Sequence, residues 1–420
     1  MKTLNADIVV IGGGPAGMAA ALEASRLGDL DIHLLERDAS LGGVLPQCIH
    51  DGFGVLRFGE LLTGPQYAQR DQDALKRSGV QVHLNAMVLR LMPDGEVVFT
   101  DPVDGLVRLK ARSVILAMGC RERTRNQIRI PGTRPAGVYT AGCAQRLINI
   151  EGMMVGRRAV VLGSGDIGLI MARRLTLEGA EVEGCYEVLP HPSGLTRNIV
   201  QCLHDYRIPL HLNHTVTEIL GRKRVEGVVV HQVDDARRPL PDTRRVIPCD
   251  TLVLSVGLIP ENELSKKAGV DLDPVTGGPR VNSLMETGSP GVFACGNVVH
   301  VYDLVDHVTF SAQRAAKGAV NRVTGVAPGR EIPLEAGQNL RYVAPHRLVL
   351  PGQEVEPIYF RVQKEQRDCK VVVRSGAKVI LTRKERVVRP AEMVVVELKA
   401  RHLSAIDPDA RALTVEVCHE

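Results

Sequence analysis

A glycine-rich turn between two apolar runs near the N-terminus constrains the fold of this chain more than any other feature. The apolar run at 8–11 predicts a buried strand, and the glycine-rich turn at 12–17 follows it directly. Residues 18–27 have the apolar periodicity of a helix, and a second apolar run at 32–35 ends in Glu36. This order of elements is the βαβ fingerprint of a dinucleotide-binding domain.

Each glycine of this fingerprint has a physical task. Gly12 permits the tight turn, Gly14 lets the backbone approach a pyrophosphate, and Gly17 lets the helix pack close to the strand. The helix N-terminus offers N–H groups and a partial positive charge to phosphates. Glu36 is placed to accept hydrogen bonds from ribose hydroxyls. The sequence therefore predicts a nucleotide site, and a tight turn without a ligand is the alternative.

Composition excludes several classes of partner. The 420 residues suffice for two or three domains, and 52 basic against 48 acidic side chains leave a net charge of +4. Neither nucleic acid nor an anionic membrane is an expected partner of such a chain. No stretch approaches the roughly 18 apolar residues of a membrane span, and Asp7 interrupts the run that most resembles a signal peptide. We therefore expect a cytoplasmic protein with no membrane span.

The cysteine pattern indicates reduced thiols. Nine cysteines are scattered along the chain without a C-x-x-C pair. This spacing argues against a zinc ribbon and against a self-contained iron–sulfur cluster. No metal site is predicted.

A second copy of the fingerprint lies downstream. A strand-like run at 159–162, a glycine turn at 163–168 and a helical run at 170–177 precede a second strand that ends at Glu187. The three glycines and the glutamate follow their counterparts by the same 151 positions (163 − 12 = 151). Two nucleotide-binding domains of one plan are the simplest account. A second turn that holds no nucleotide is the alternative. The residues assigned to the second nucleotide are Gly163, Gly165, Asp166, Ile167, Gly168 and Glu187.

Later stretches suggest how the domains are connected. The apolar run at 291–297 completes the first domain, and Asp306 or Thr309 is predicted to cap a helix that runs to about Val323. From Ile332 onward, short β-like runs are divided by glycine, proline and charged turns, which predicts a small antiparallel β domain. The fold class is therefore α/β, with two Rossmann-like domains, the second inserted in the first, and a C-terminal β-rich domain.

Residues 5–324 resemble the FAD/NAD(P)-dependent pyridine nucleotide-disulfide reductase superfamily. The resemblance rests on both fingerprints, on Gly42-Gly43 and on the segments 117–119 and 295–297. It implies that residues 1–120 and 261–328 form an FAD-binding domain. It also implies an inserted NAD(P)-binding domain at 121–260 and a β-rich domain at 331–420.

The resemblance also assigns residues to FAD. It implies that Glu36 binds the FAD ribose and that the backbone of Val88 lies near the adenine. Superfamily members usually have Gly-Asp where this chain has Gly296-Asn297, and since asparagine also forms hydrogen bonds, we expect flavin binding to survive. The N-terminus of the following helix would stabilise negative charge on the flavin. The residues assigned to FAD are Gly12, Gly14, Pro15, Ala16, Gly17, Glu36, Arg37, Gly43, Val44, Gln47, Val88, Ala117, Gly119, Gly296, Asn297, His307 and Thr309.

Two further segments narrow the resemblance. Residues 42–54 and 193–203 resemble the flavoprotein subunits associated with anaerobic-type glycerol-3-phosphate dehydrogenases. They are also similar to subunits of opine oxidases, amino-acid dehydrogenases and hydrogen cyanide synthase. This resemblance implies a partner dehydrogenase or electron-transfer subunit, within a homo- or hetero-oligomer.

The sequence lacks the second thiol that disulfide reductases of this superfamily need. In one arrangement C-x-x-x-x-C follows the Gly-Gly turn, but Cys48 is followed there by Phe53. In the other, C-x-x-C opens the nicotinamide domain, but Cys143 is followed by Arg146. We therefore predict no dithiol chemistry. Cys48 acting alone, with His50 favouring its thiolate, is the catalytic hypothesis, and a thiol that fills space beside the flavin is the alternative.

The second nucleotide is predicted to be NAD(H) rather than NADP(H). A carboxylate at Glu187 suits a free 2′-hydroxyl and repels a 2′-phosphate. Val188 follows where an NADP enzyme often has arginine, although Arg197 could reverse this preference.

The predicted function is an FAD-dependent oxidoreductase that transfers hydride between NAD(H) and the flavin. Electrons would be exchanged with a partner subunit or a small acceptor. The alternatives are the FAD subunit of an amino-acid, opine or glycerol-3-phosphate dehydrogenase complex, a single-cysteine NADH oxidase, and a nucleotide-binding scaffold without turnover.

Overall fold

The computed structural model describes residues 2–419. Residues 121–259 form one compact unit, and the rest of the described chain forms the other. The helices are α1 (Pro15–Leu27), α2 (Val55–Phe58), α3 (Gly64–Leu75), α4 (Arg125–Ile128), α5 (Ala141–Asn149), α6 (Asp166–Leu177), α7 (Thr196–Ile199), α8 (Glu263–Lys267), α9 (Val305–Val323) and α10 (Ala400–Leu403).

The strands of both units are numbered in chain order. They are β1 (Lys2–Ile11), β2 (Ile32–Leu35), β3 (Asp51–Phe53), β4 (Leu62–Thr63), β5 (Gln81–His83), β6 (Met87–Leu91), β7 (Glu96–Asp101), β8 (Gly105–Leu116), β9 (Cys120–Glu122), β10 (Val138–Thr140), β11 (Arg158–Leu162), β12 (Glu181–Glu187), β13 (Leu210–Leu212), β14 (His214–Leu220), β15 (Gly227–Gln232), β16 (Arg245–Pro248), β17 (Thr251–Leu254), β18 (Leu258–Pro260), β19 (Val292–Ala294), β20 (Arg330–Ala336), β21 (Leu340–Ala344), β22 (Arg347–Leu350), β23 (Val355–Val362), β24 (Gln366–Ser375), β25 (Lys378–Val388), β26 (Val394–Lys399) and β27 (Leu413–His419).

The first glycine turn lies at the carboxyl edge of a sheet whose central strands are parallel. Strand β1 pairs with β2 on one side and β8 on the other, so that Ile11 lies opposite Leu35 and Leu116. The strand order is β5-β2-β1-β8-β7-β6, and β19 pairs in parallel with the end of β8. Because parallel strands end at a common edge, the segments that follow these three residues meet there.

Small side chains let two helices of this unit pack closely against each other. Helices α1 and α9 pack against each other, and both bury alanine-rich faces. The buried alanines are Ala16, Ala19, Ala20, Ala21 and Ala24 of α1 and Ala312, Ala315, Ala316 and Ala319 of α9. A larger residue on either face would separate the helices, because interiors are close-packed.

The unit at 121–259 repeats this plan around the second glycine turn. Its sheet has the order β10-β17-β11-β12-β13, and every pair is parallel. Leu162, the last residue of β11, lies opposite Tyr186 and Leu254. A smaller antiparallel sheet, β14-β15-β16, belongs to the same unit.

The C-terminal region is β-rich, with one departure from the predicted antiparallel pattern. Its two sheets have the orders β22-β20-β27-β24-β25 and β21-β23-β26. The pair β20 and β27 is parallel, whereas the other pairs of these sheets are antiparallel. A sequence pattern of alternating residues identifies a strand, but it does not determine the direction of a partner that is distant in the chain.

The predicted cap of α9 is wrong. The helix begins at Val305 with Leu304 in extended conformation at its N-cap, so Asp306 and Thr309 both lie inside it. The Asp306 carboxylate instead accepts a hydrogen bond from the backbone N–H of Arg57, at 3.3 Å. The Asp306 side chain therefore bonds a residue that is distant in sequence and does not cap the helix as predicted. Across residues 2–419, the helices are too short or too polar to cross a bilayer.

Two candidate dinucleotide sites

The first glycine turn is built so closely that side chains are excluded from two of its positions. Gly12 has a φ of 106°, and a Cβ there would lie 2.5 Å from the carbonyl oxygen of Ala117. A Cβ on Gly17 would overlap the carbonyl oxygen of Gly12. These contacts join the turn to the end of β8, where Ala117 donates its N–H to Ile11 at 2.8 Å. Glycine is therefore a steric requirement at both positions.

The surface of this turn is open where a pyrophosphate would lie. Gly14 is the N-cap of α1, and no side chain in the described chain caps that helix end. A Cβ added at Gly14 would find only the Cα of Gly43 within 4 Å, at 3.8 Å, and one at Gly119 would meet none of the described residues. Gly43 and Val44 lie beside it, and Val44 is exposed. An uncapped helix start, with Pro15 first and Ala16 next, beside open backbone fits the phosphates of FAD.

Glu36 retains acceptor positions for a ribose. Its side chain is buried, Oε2 accepts the N–H of Gly13 at 2.6 Å, and Oε1 accepts that of Asp38 at 2.7 Å. A carboxylate has about four lone-pair positions, two on each oxygen. Among described residues these two are its donors, so each oxygen keeps one position for a ribose hydroxyl. Arg37 is exposed beside it.

Val88 lies two residues after Ala86, which hydrogen-bonds the backbone of Glu36. Ala86 donates its N–H to the carbonyl oxygen of Glu36 at 2.8 Å. Val88 follows in β6, opposite Phe99, and its side chain is buried. The backbone of this segment is thereby joined to that of Glu36, and the position of Val88 beside the adenine stays a prediction.

Gly296 and Asn297 follow β19 at the same edge of the sheet. Gly296 has a φ of 70°, and a Cβ there would lie 2.8 Å from the Cβ of Ala16 in α1. Its N–H donates to Ser311 Oγ at 2.9 Å. Asn297 Oδ1 accepts the N–H of Tyr302 at 3.1 Å, and its Nδ2 lies 3.7 Å from Cys120 Sγ. Sequence reasoning missed these partners because they come from other segments of the chain.

The two residues assigned to FAD on α9 have different environments. Thr309 is fully buried, and its hydroxyl shares a 2.8 Å hydrogen bond with the hydroxyl of Tyr67. The structure therefore places that side chain in the interior and not on the open turn. His307 is half-buried, its Nδ1 has no hydrogen-bond partner among residues 2–419, and burial lowers its pKa. A neutral imidazole with an unsatisfied nitrogen remains available for a ligand.

A buried ion pair that the sequence did not reveal lies near the N-terminus of α9. Arg57 donates to both carboxylate oxygens of Asp71, at 2.7 and 2.6 Å. Its guanidinium also lies over the rings of Phe58 and Tyr67. These contacts fix α2 against α3 and, through the Arg57 backbone, against Asp306. Neither residue belongs to a motif, so the sequence analysis did not identify the pair.

Cys48 and His50 follow a short 3₁₀ turn at Leu45–Gln47, with Gln47 half-buried. The Cys48 thiol is buried and donates to the carbonyl oxygen of Val44 at 3.3 Å. Burial raises the pKa of this thiol to about 12, which favours the neutral form. The His50 ring lies against Phe53, and its Nδ1 bonds the carbonyl oxygen of Asp51 at 2.9 Å.

The second glycine turn has the same steric design. Gly163 has a φ of 94°, and a Cβ there would overlap the carbonyl oxygen of Ser255. A Cβ on Gly168 would lie 2.5 Å from the Cβ of Ser255, whose hydroxyl accepts the N–H of Gly168 at 3.1 Å. Gly165 is the N-cap of α6 and Ile167 is half-buried within its first turn.

Glu187 is more heavily bonded than Glu36. Within the described chain, Oε2 accepts the N–H of Ser164 at 3.0 Å, the Ser164 hydroxyl at 2.6 Å and the Ser193 hydroxyl at 2.8 Å. Its Oε1 accepts the N–H of Leu189 at 3.0 Å. The predicted ribose acceptor is therefore already engaged by its own chain.

Asp166 also binds a neighbouring segment. Its Oδ1 accepts the N–H of Leu195 at 2.8 Å and the side-chain amide of Asn198 at 2.7 Å. This places a carboxylate at the first residue of α6, where an anionic pyrophosphate would approach. Among the residues that the structure describes, no group of histidine, cysteine, aspartate and glutamate side chains is arranged to hold a metal ion.

Comparison with known protein families gives a match over most of the chain. Residues 6–318 match the family model of the pyridine nucleotide-disulphide oxidoreductases. This match confirms the resemblance predicted from the sequence. It also confirms the predicted use of FAD with a nicotinamide nucleotide.

Two curated relatives are named as subunits. The chain is 27% identical over 317 residues to hydrogen cyanide synthase subunit HcnB of Pseudomonas protegens, covering 69% of this chain and 65% of that protein. It is 28% identical over 285 residues to an opine oxidase subunit of Agrobacterium tumefaciens, covering 63% of this chain and 55% of that protein. The chain thus spans less than two thirds of the length of these relatives.

Solved structures confirm the predicted fold class. The crystal structure of T. acidophilum thioredoxin reductase superposes with a TM-score of 0.63 at 24% identity, covering 77% of this chain and 99% of that one. This likeness establishes the Rossmann-type fold class but not the reaction.

Proposed function

The chain belongs to the pyridine nucleotide-disulphide oxidoreductase family, and we propose that it transfers hydride between NAD(H) and FAD without a redox-active disulfide. In this proposal electrons are then exchanged with a partner subunit or a small acceptor. The observation that carries it is the pair of glycine turns, each at the carboxyl edge of a parallel sheet and each beside a buried glutamate. Bound FAD supplies the hydride chemistry, and the protein supplies position and electrostatics.

The residues of the first turn have roles that follow from their geometry. Gly14 and Gly43 leave backbone open to the FAD pyrophosphate, and the uncapped start of α1 stabilises its charge. Glu36 offers one acceptor position on each oxygen to the ribose diol. In this proposal residues 1–120 and 261–328 bind FAD, 121–260 binds NAD(H), and 331–420 forms the β-rich domain.

Several residues support a reaction without dithiol chemistry. Phe53 and Arg146 occupy the positions of the second thiols that disulfide reductases use. The buried Cys48 thiol is neutral at physiological pH because its pKa is raised to about 12. A neutral, buried thiol favours a space-filling role for Cys48. It argues against a single-cysteine oxidase and against a Cys48 thiolate stabilised by His50.

A partner for this chain is supported by the names of its relatives. One is a subunit of hydrogen cyanide synthase, and the other is a subunit of opine oxidase. By analogy, we propose that this chain is the FAD-binding subunit of a hetero-oligomeric dehydrogenase. The cytoplasmic location and the preference for NAD(H) over NADP(H) remain predictions from the sequence.

Anaerobic reduction tests the proposal. The purified protein should show the visible absorption of oxidised flavin, and NADH added without oxygen should bleach it within the mixing time of a manual experiment. NADPH serves as the matched control and should bleach the flavin more slowly. A flavoprotein that NADH leaves oxidised would contradict hydride transfer at the second site.

A second candidate function follows from the bonding of Glu187. If its engaged carboxylate excludes the nicotinamide nucleotide, the protein is an FAD subunit whose electrons come from the substrate of a partner dehydrogenase. Bleaching by the native complex with an amino acid, opine or glycerol 3-phosphate, but not with NADH, would select this function. A colourless protein that does not take up FAD would instead indicate a scaffold.

A further inference from the structure

A serine clasp closes on the glutamate of the second turn. The clasp consists of Ser164, Glu187 and Ser193. The Ser164 hydroxyl donates to Glu187 Oε2 at 2.6 Å and accepts the backbone N–H of Ser193 at 2.9 Å. The Ser193 hydroxyl donates to the same Oε2 at 2.8 Å. Ser164 and Glu187 are buried, whereas Ser193 is half-exposed.

Within residues 2–419, the first turn has no such clasp. Ser164 and Ser193 follow Gly13 and Gly42 by the same 151 positions that separate the two glutamates. Gly13 and Gly42 are joined by a backbone hydrogen bond of 2.8 Å, and neither has a hydroxyl to offer to Glu36. The glutamate keeps its position in the second copy, and the two serine hydroxyls are the additions.

The clasp changes what a ribose diol meets at each site. On Glu36 each oxygen accepts one hydrogen bond, so two hydroxyls bind without displacing a donor. On Glu187, Oε1 has one position left, whereas Oε2 already accepts three hydrogen bonds, one more than its two lone-pair positions, so a ribose hydroxyl can bind Oε2 only in place of a present donor. Two of these come from Ser164, through its backbone N–H and its hydroxyl, and Ser164 is fully buried. The Ser193 hydroxyl is therefore the donor that a ribose hydroxyl displaces.

We propose that Ser193 sets the affinity of the second site by competing with the nucleotide ribose for Glu187 Oε2. In the native protein, ribose binding exchanges one hydrogen bond for another and gains nothing at this oxygen. Without the Ser193 hydroxyl, the ribose gains a charge-assisted bond outright. This inference rests on the proposed function only in that a nicotinamide nucleotide is the ligand of this turn.

The test is a titration of the flavin-loaded protein with NAD⁺ by isothermal calorimetry, on wild type and on Ser193→Ala. Removing the competing hydroxyl should tighten the dissociation constant for NAD⁺ by about tenfold, the effect of one hydrogen bond to a charged group. Thr176→Ala is the matched control, because its hydroxyl bonds only the carbonyl oxygen of Ala172 in its own helix within the described chain. The control should leave the constant unchanged.

A second ligand separates competition from general loosening of the segment. A 2′-phosphate has no hydroxyl proton to donate to Oε2 and is repelled by the carboxylate, so Ser193→Ala should not tighten NADP⁺ binding. Equal tightening of NAD⁺ and NADP⁺ would overturn the inference. Flavin content and melting temperature, measured on the same samples, show that the variant is folded.

The outcomes distinguish the inference from the proposed function. If Ser193→Ala binds NAD⁺ no better than wild type while NADH still bleaches the flavin, the inference fails and the proposed function stands. If neither protein binds NAD⁺ and NADH leaves the flavin oxidised, both fail.

Discussion

The two glycine turns of this chain share a backbone design and differ in the polar groups around it. In both, the first glycine has a positive φ and touches the end of a neighbouring strand, and the third lies against the turn. Around the first turn the adjacent positions are Gly13, Pro15 and Gly42, which add no polar side chain. Around the second they are Ser164, Asp166 and Ser193, and all three make hydrogen bonds.

This difference shows that the fingerprint predicts the shape of the backbone and does not predict whether a ligand is bound there. The glycines are required for the strand, turn and helix to pack, whether or not a ligand binds. Affinity depends on what remains unsatisfied after folding. At the first turn an open helix start and two acceptor positions remain, whereas at the second the chain itself uses most of the available groups.

The largest expected effect separates the two turns by steric tolerance. Gly17→Ala places a Cβ on the carbonyl oxygen of Gly12, and should cost more than about 3 kcal/mol of unfolding free energy and abolish FAD binding. Gly168→Ala meets the Ser255 side chain instead and should cost about 1–3 kcal/mol with FAD retained. Urea unfolding and flavin content measure both.

Gly79→Ala is the control for this pair, because a Cβ there would meet nothing within 4 Å in the described chain. It should change neither stability nor flavin content. Loss of FAD from Gly168→Ala to the same extent as from Gly17→Ala would show that the two turns do not differ in their importance for flavin binding.

Replacing each glutamate with glutamine should impair a different property of the protein. In Glu36→Gln one backbone N–H faces an amide NH₂ and a ribose acceptor is lost, so FAD affinity should fall about tenfold to a hundredfold. In Glu187→Gln the buried serine clasp loses its anion, so stability should fall by about 1.5–3 kcal/mol while FAD stays bound. Flavin fluorescence on dilution measures the first, and urea unfolding measures the second.

Release of FAD by Glu187→Gln alone would show that the two sites depend on each other. The double variant should show both effects added, since the two carboxylates share no hydrogen-bond partner among residues 2–419.

A smaller effect tests the charge at the start of α6. Asp166→Asn keeps an oxygen that accepts from Leu195 and Asn198 but removes the negative charge near the pyrophosphate position. NAD⁺ binding should tighten about twofold to fivefold at low salt, the usual worth of a charge at a helix end, and the gain should shrink as salt is added. Calorimetry at two salt concentrations checks this, and a gain that salt does not reduce would exclude an electrostatic origin.

No effect on turnover is expected from Cys48→Ser. The thiol is buried, and its pKa of about 12 keeps it neutral throughout the physiological range. The rate of flavin bleaching by NADH and the flavin spectrum should match those of wild type. A change in either would restore the hypothesis of an active thiol assisted by His50.

Local sequence predicted the parts of the site that local geometry controls. Gly12, Gly17 and Gly163 were assigned from the order of strand, glycine turn, helix and terminal glutamate, because a turn between a strand and a helix can be closed in few ways. Glu36 was assigned because it ends the strand next to the turn. The repeat at 151 positions then predicted a second turn of the same shape.

Partners from distant segments could not be predicted in the same way. Thr309 was expected on FAD, yet it bonds Tyr67, and Asp306 was expected as a cap, yet it accepts from Arg57. Neither partner is marked by periodicity or by a motif. Each is brought close only when the helices that carry them pack together.

The fold class, the two glycine turns and the family followed from the amino-acid sequence, since these depend on short-range backbone sterics and apolar periodicity. Which polar groups remain available at each turn depends on the folded molecule, because a hydrogen-bonding group is free or engaged according to what folding brings beside it. Glu36 and Glu187 occupy equivalent positions in the repeat, and the serines that fold against the second one distinguish them.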